Sequence, residues 1–247
     1  MRVVVLGATK GIGRALARQL AERGDRVFLL GRNADDLARS AKDLEIRGSA
    51  AATPTGFALC DLASPATFGP ALDRAHQALG GYECVVVTAG TLAPQERLEA
   101  EPALAAELLT TGFTHTILFC EEARRRLLAM GGGTLCVFSS VAGDRGRKPV
   151  VLYGAAKAGL SRYLEGLDHR FRSSGLTTIC VKPGFVKTGM TAGLKPPPFA
   201  AEPDAVARRV VRAIDRGEPE VYVPGIWRLV MLVIRLLPRA VMRRVGF

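Results

Sequence analysis

A chain of 247 residues with 48% apolar but only 6% aromatic side chains has the size and make-up of one large domain, with Ala/Val/Leu-rich helices on a parallel sheet favoured over an all-β sandwich. Five cysteines (Cys60, Cys84, Cys120, Cys136, Cys180), odd in number and without CxxC spacing, argue against a disulfide framework and for reduced, buried thiols in a cytoplasmic setting; His76, His115 and His169 lack metal-ligand spacing, so no metal centre is expected. The net charge of +11 favours anionic partners, and it is lopsided: no acid follows Glu220, whereas Arg228, Arg235, Arg239, Arg243 and Arg244 do.

In chain order, Arg2–Leu6 (RVVVL) reads as a buried strand, too short to be a signal peptide, and GATKGIGRALARQLAERG as a glycine turn feeding an amphipathic helix. Gly7, Gly11 and Gly13, with Thr9, Lys10 and Ile12 between them, form a phosphate cradle. Glycines let the backbone approach a pyrophosphate, and the N–H groups and dipole of the helix start stabilise its charge. Arg26–Leu30 is a second strand, tipped by Gly31-Arg32-Asn33. An acid at this tip would bond both ribose hydroxyls and favour NAD, whereas Arg32, helped by Lys10, can clamp a 2′-phosphate, so NADP(H) is expected. Two solvated basic residues on a turn are the plainer alternative.

A helix over 34–47, a connection over 48–56 and a strand at Gly56–Leu59 lead to Asp61-Leu62; a helix follows over 65–79 and a strand over Tyr82–Thr88, ending in Thr88-Ala89-Gly90. Residues 102–130 read as one long helix, apolar enough to meet both the sheet and a second subunit. Thr134–Phe138 is a fifth strand ending on SSVAG, and the Ala-rich run from Leu152 predicts a helix over 152–172. That helix puts Tyr153 and Lys157 one turn apart on one face. An ammonium there can favour the phenolate. Bringing a phenol that ordinarily titrates near ~10 to neutrality takes roughly 4 kcal/mol of such preference, to which an oxidised nicotinamide could add. Tyr153 is then a general acid or base for a carbonyl or alcohol oxygen that Ser140, thirteen residues upstream, can hold.

Leu176–Val181 is the sixth strand, followed by Lys182-Pro-Gly-Phe-Val-Lys-Thr188 and a Gly/Pro-rich stretch, 189–201, read as a mobile substrate lid. A helix over 203–216 and a strand at Glu220–Val223 complete a catalytic unit of residues 1–224. The remaining 225–247 form a basic tail. Its apolar run Ile226–Leu237 is interrupted only by Arg228 and Arg235 and is too short to span a bilayer, which needs about 20 residues. With Arg228, Arg235 and Arg239 in one stripe, it fits either an interfacial helix on anionic lipid or a helix buried between subunits.

The glycine motif together with Ser140, Tyr153 and Lys157 resembles the short-chain dehydrogenase/reductase family from Val3 to about Ala192. The resemblance implies a doubly wound, mostly parallel seven-stranded Rossmann sheet, a homodimer or homotetramer, and hydride transfer between NADP(H) and a ketone or secondary alcohol. It implies that Ser140 holds the carbonyl, Tyr153 gives the proton and Lys157 bonds the nicotinamide ribose. Asp61 would meet the adenine, with Leu62 beside it in the cofactor site, although an aspartate capping a helix or turn is an equally plain reading of Asp61; Ala89 and Gly90 would allow close approach, and Pro183, Gly184, Val186 and Thr188 would line the nicotinamide side. Two positions depart from the family pattern: Thr88 and Leu109 stand where asparagines are usual, the second of which helps hold a water near the lysine. VFSSVAGDRGRK with YGAAKAGL, PGFVKTGMTAGLK and the tail resemble, within the family, reduction of a lipid-linked keto-sugar, peripheral on the cytoplasmic face of a membrane. A soluble ketoacyl or small-ketone reductase and a non-enzymatic NADP-binding regulator are the alternatives. No RNA-binding or helix-turn-helix signal supports nucleic acid.

Overall fold

The computed structural model describes residues 1–48 and 55–246. Residues 49–54, in the connection expected over 48–56, lie outside the described residues. The order is β1 (Arg2–Leu6), α1 (Gly11–Glu22), β2 (Arg26–Gly31), α2 (Ala34–Arg47), β3 (Phe57–Leu59), α3 (Phe68–Leu79), β4 (Cys84–Val87), α4 (Gln95–Ala100), α5 (Pro102–Leu109) and α6 (Thr116–Ala129). Then come β5 (Gly133–Phe138), α7 (Val151–Phe171), β6 (Leu176–Pro183), α8 (Pro203–Arg216), β7 (Glu220–Val223), α9 (Ile226–Leu236) and α10 (Arg239–Met242). The strands form one sheet in the order β3-β2-β1-β4-β5-β6-β7, with every neighbouring pair parallel. This is the doubly wound architecture expected.

The strands are continuous apolar runs because both sheet faces are covered. On β1, Val3 and Val5 pack with Leu16 and Leu20 of α1 and Val206 and Val210 of α8. Val4 and Leu6 point the other way, toward Phe68 and Leu72 of α3, Phe119 and Leu127 of α6 and Leu160 of α7. All five cysteines are free and buried in these layers. The chain order reverses between β1 and β4. Their carboxyl ends therefore open a crevice, the place where an open parallel sheet binds ligands.

The structure revises the sequence reading in four places. The helix expected over 102–130 carries a π-helical turn at Thr110–His115, in which the Thr116 hydroxyl donates to the Thr111 carbonyl at 2.7 Å. It is long and apolar enough by composition to cross a bilayer, yet Leu108, Phe119, Cys120, Ala123 and Leu127 are buried within the fold. A short helix, α4, occupies part of 91–100, for which the sequence suggested no element. The tail helix stops at Leu236, and Pro238 starts a separate short helix, so Arg239 leaves the stripe that Arg228 and Arg235 share. Finally, the tail packs on the fold, with Met231 and Ile234 buried against Val141 and Tyr222.

Candidate active site

The crevice holds a cleft of about 550 Å³ lined by Gly7, Thr9, Lys10, Gly11, Ile12, Gly13, Arg32, Asp61, Leu62, Ala89, Gly90 and Thr188, among others. Gly7 has φ 91°, and a Cβ there would lie 2.6 Å from the Ala89 nitrogen. A Cβ on Gly13 would overlap the Gly7 carbonyl oxygen and the Thr88 hydroxyl. Thr88, where the family pattern has asparagine, donates to the Leu6 or Gly7 carbonyl at 2.9 and 3.1 Å, clamping β1 to β4 below the cradle. The start of α1 has no side-chain cap, so its first-turn N–H groups face the cleft free to meet an anion.

At the β2 tip, Asn33 caps α2 by accepting from the Asp36 N–H at 2.8 Å. Lys10 pairs with Asp36 at 3.5 Å, and Arg39 pairs with the same carboxylate at 2.5 Å. The acid beside Arg32 is thus already engaged. Asp61 closes a turn, accepting from the Ala63 N–H at 3.0 Å, and still lines the cleft. Leu62 is buried and its carbonyl is held by His115 Nδ1 at 2.6 Å.

Ser140, Tyr153 and Lys157 do not line this cleft directly; they stand beyond its inner end. The link is Gly90, where a Cβ would come within 3.8 Å of Lys157 Nζ. Lys157 is buried and donates to the Phe138 carbonyl at 2.9 Å, which seats α7 on the end of β5. Its ammonium lies 5.8 Å from the Tyr153 ring centroid. The Ser140 hydroxyl accepts from the Ala142 N–H at 3.1 Å and reaches the Pro183 carbonyl at 3.5 Å. Ser139 lies beneath, its hydroxyl against the Lys157 carbonyl at 2.9 Å.

The electrostatics differ from the sequence expectation. Burial pushes the Tyr153 phenol above its ordinary value, against a smaller opposing effect of Ser140. Burial also pulls the Lys157 ammonium down to about 8. The phenol therefore keeps its proton through neutral pH, which suits a donor, and the lysine does not by itself make it a phenolate. Removing water penalises the phenolate more than a cation at this distance offsets.

Several neighbours were not legible in the sequence. Gln95 is buried; its Oε1 accepts from the Leu152 N–H at 3.2 Å, fixing the first turn of α7 just ahead of Tyr153. Glu107 and Thr111 line the cleft beside the π-turn, and the Thr111 hydroxyl donates to the Glu107 carbonyl at 2.8 Å. Leu109, the position compared with the family's asparagine, is not among the lining residues. Lys182 is buried and pairs with Asp144 at 2.8 Å and with Glu220, and Tyr222 donates to Asp144 at 2.8 Å. This cluster pins the segment after Ser140 to the ends of β6 and β7. Only a sheet that brings residues 144, 182 and 222 together could reveal it.

On the β6 side, Gly184 is covered by the Trp227 indole, leaving no space for a Cβ. Val186 turns its side chain into the core and is not among the residues lining the cleft; its carbonyl accepts from the Thr191 hydroxyl at 2.6 Å. Thr188 faces the glycine loop across the cleft, its Cγ2 3.3 Å from where a Gly11 Cβ would stand. The loop between Lys187 and Ala201 leaves and returns at one point, with Lys187 N–H donating to the Ala201 carbonyl at 2.9 Å. It exposes Met190, Leu194 and Phe199.

A glycine cradle in a parallel-sheet crevice, with a Ser/Tyr/Lys set just beyond its inner end, has the form of a dinucleotide-dependent oxidoreductase site. The short-chain dehydrogenase model matches residues 1–198, and the chain belongs to that family. It is 36% identical over 242 residues to an uncharacterized oxidoreductase of Mycobacterium tuberculosis, covering 98% of this chain and 96% of the relative. It is 31% identical over 218 residues to cis-4-hydroxycyclohexanecarboxylate dehydrogenase of Sinomonas cyclohexanicum, covering 87% and 84%. A variant of actinorhodin polyketide ketoreductase solved with NADPH superposes with a TM-score of 0.79 at 23% identity, covering 90% of this chain and 95% of that one.

Proposed function

We propose that the protein is an NADPH-dependent reductase of a ketone carried on a long-chain or lipid-linked molecule. The observation carrying the reaction is the meeting of Ser140, Tyr153 and Lys157 just beyond the inner end of a cleft whose cradle residues fit a pyrophosphate. When bound, the reduced nicotinamide supplies the hydride taken up by the ketone carbon. The Ser140 hydroxyl holds the carbonyl oxygen, and the Tyr153 phenol donates the proton that turns this oxygen into a hydroxyl. Lys157, held by the Phe138 carbonyl, presents its ammonium to the ribose and favours the phenolate left after proton transfer.

Arg32 supports the phosphorylated cofactor. Losing a charge-assisted hydrogen-bonding partner of about 1.5–3 kcal/mol corresponds to roughly ten- to hundredfold in affinity. Arg32→Ala is expected to raise the KM for NADPH by about that factor and to move the KM for NADH by less than about threefold. Equal effects on both cofactors would remove the 2′-phosphate reading. A pH dependence follows from Lys157, whose ammonium titrates at about 8 in the free protein. The ammonium is the stronger donor and the cation that favours the phenolate; it is present below that value and lost above it. The kcat/KM for NADPH, which reports the free enzyme, should be flat below about pH 7 and fall with unit slope above about pH 8. A profile flat to pH 10 would show that this proton is not used.

The lipid part of the reading is supported by the exposed Met190, Leu194 and Phe199 on the loop beside the cleft and by the apolar tail. It also rests on a resemblance of VFSSVAGDRGRK, PGFVKTGMTAGLK and the tail to decaprenylphospho-β-D-erythro-pentofuranosid-2-ulose 2-reductase. The likeness to a dehydrogenase of cis-4-hydroxycyclohexanecarboxylate favours a second reading, a small soluble ketone or alcohol. NADPH consumption against detergent-solubilised polyprenyl-phosphate keto-sugar and a panel of small ketones separates the two. Turnover of the small ketones alone would overturn the lipid reading.

A further inference from the structure

Helix α9 has two apolar faces. Trp227, Val230, Met231 and Ile234 follow the i, i+3, i+4, i+7 pattern of one helix face and belong to the cluster with Val141 and Tyr222. Leu229, Leu232, Val233 and Leu236 repeat the same pattern two residues on, and they stand 61%, 53%, 61% and 77% exposed. One face therefore builds the fold. The other is a contiguous aliphatic strip with no partner among the described residues, and such strips on soluble chains mark interaction surfaces.

The charge around the strip selects the partner. Arg228 flanks it on the helix, and Arg239, Arg243 and Arg244 follow within two turns of its end, all exposed. Arg145 and Lys148 join them from the segment after Ser140, donating to the Leu237 and Arg243 carbonyls at 2.7 Å each. Residues 221–247 contain no acid. Arg235 alone also lines a neighbouring groove with Glu165 and Asp168, which already pair with Arg162 and with Arg172. A second copy docked on this face about a twofold axis would bring arginines against arginines with no carboxylate from the tail between them. An anionic bilayer surface matches both properties: headgroups take the arginines, and the acyl boundary takes the four aliphatic side chains.

We propose that the outer face of α9 docks the protein on an anionic lipid surface, with the active-site mouth held beside the bilayer. The inner face makes this orientation specific. Trp227 covers Gly184, and the tail carbonyls hold the Ser140 segment, so a docked α9 fixes both walls next to the catalytic groups. The inference deepens the lipid-substrate reading and rests on it for its purpose, but it is measured without turnover.

The test is flotation of the full chain with vesicles of phosphatidylcholine alone and with 30% phosphatidylglycerol. Binding is expected to the anionic vesicles and to weaken with salt. Arg228→Gln/Arg239→Gln/Arg243→Gln should lose about fivefold per arginine, and Leu229→Gln/Leu232→Gln/Leu236→Gln more than tenfold. NADPH affinity should stay within about twofold in both variants, which reports an intact fold. Equal binding to both vesicle types, or none to either, overturns the proposal. A leucine variant that dissociates an oligomer without changing flotation assigns the strip to a subunit interface instead. Docking without lipid-ketone turnover would leave the surface standing and remove only the substrate reading.

Discussion

Replacing Tyr153 by Phe is expected to lower kcat for ketone reduction by about 10²–10⁴-fold, the range that a positioned general acid contributes. The substitution keeps the ring and removes only the hydroxyl. Lys157 is anchored independently, by the Phe138 carbonyl at 2.9 Å, and Ser140 by the Ala142 N–H, so neither depends on the phenol for its position. NADPH affinity, measured by fluorescence titration, should therefore change by less than about threefold. Activity above a tenth of the parent would count against the phenol as proton donor. The raised phenol makes the reductive direction the informative one, because the group already holds the proton it must give at neutral pH.

A second large effect is expected at Gly13, and it falls on stability and cofactor binding together. The Cβ of Ala would overlap the Gly7 carbonyl oxygen and the Thr88 hydroxyl. The first is main chain at the end of β1, and the second is held by hydrogen bonds to Leu6 and Gly7, so neither can move aside cheaply. Overpacking of this kind costs about 1–3 kcal/mol. For a domain of this size each kcal/mol lowers Tm by about 2–4 °C. The backbone shift that relieves the clash also opens the phosphate cradle, so NADPH affinity should fall with Tm. Gly166→Ala is the contrast: this glycine lies inside α7 with open space where its Cβ would be, and alanine there should stabilise by about 0.5–1 kcal/mol. Equal effects at the two glycines would show that the cradle accommodates a Cβ at Gly13.

The seven strands and their flanking helices were legible because each carries its own local signal. RVVVL, RVFLL and CVVV are apolar runs of strand length, and a glycine, a proline or a polar cap marks most boundaries. The Tyr153/Lys157 pair was legible for the same reason, since four residues on one helix are neighbours whatever the rest of the chain does. Chemical environment was not. That the phenol is raised and the lysine lowered depends on water excluded by β5, β6 and α7, elements spread over some fifty residues.

The sequence by itself determined the order and type of the main elements, the glycine cradle, the Ser/Tyr/Lys set and the basic, apolar character of the tail, all properties of short windows. Tertiary structure alone decided that Gln95 secures the helix bearing Tyr153, that Asp144, Lys182 and Tyr222 brace the Ser140 segment, and that Trp227 closes over Gly184. It also decided which half of α9 faces the fold. The physical reason is common to all four. Each is a contact between residues tens of positions apart, brought together by the strand order and by packing, and no local pattern encodes how far another part of the chain will be from it.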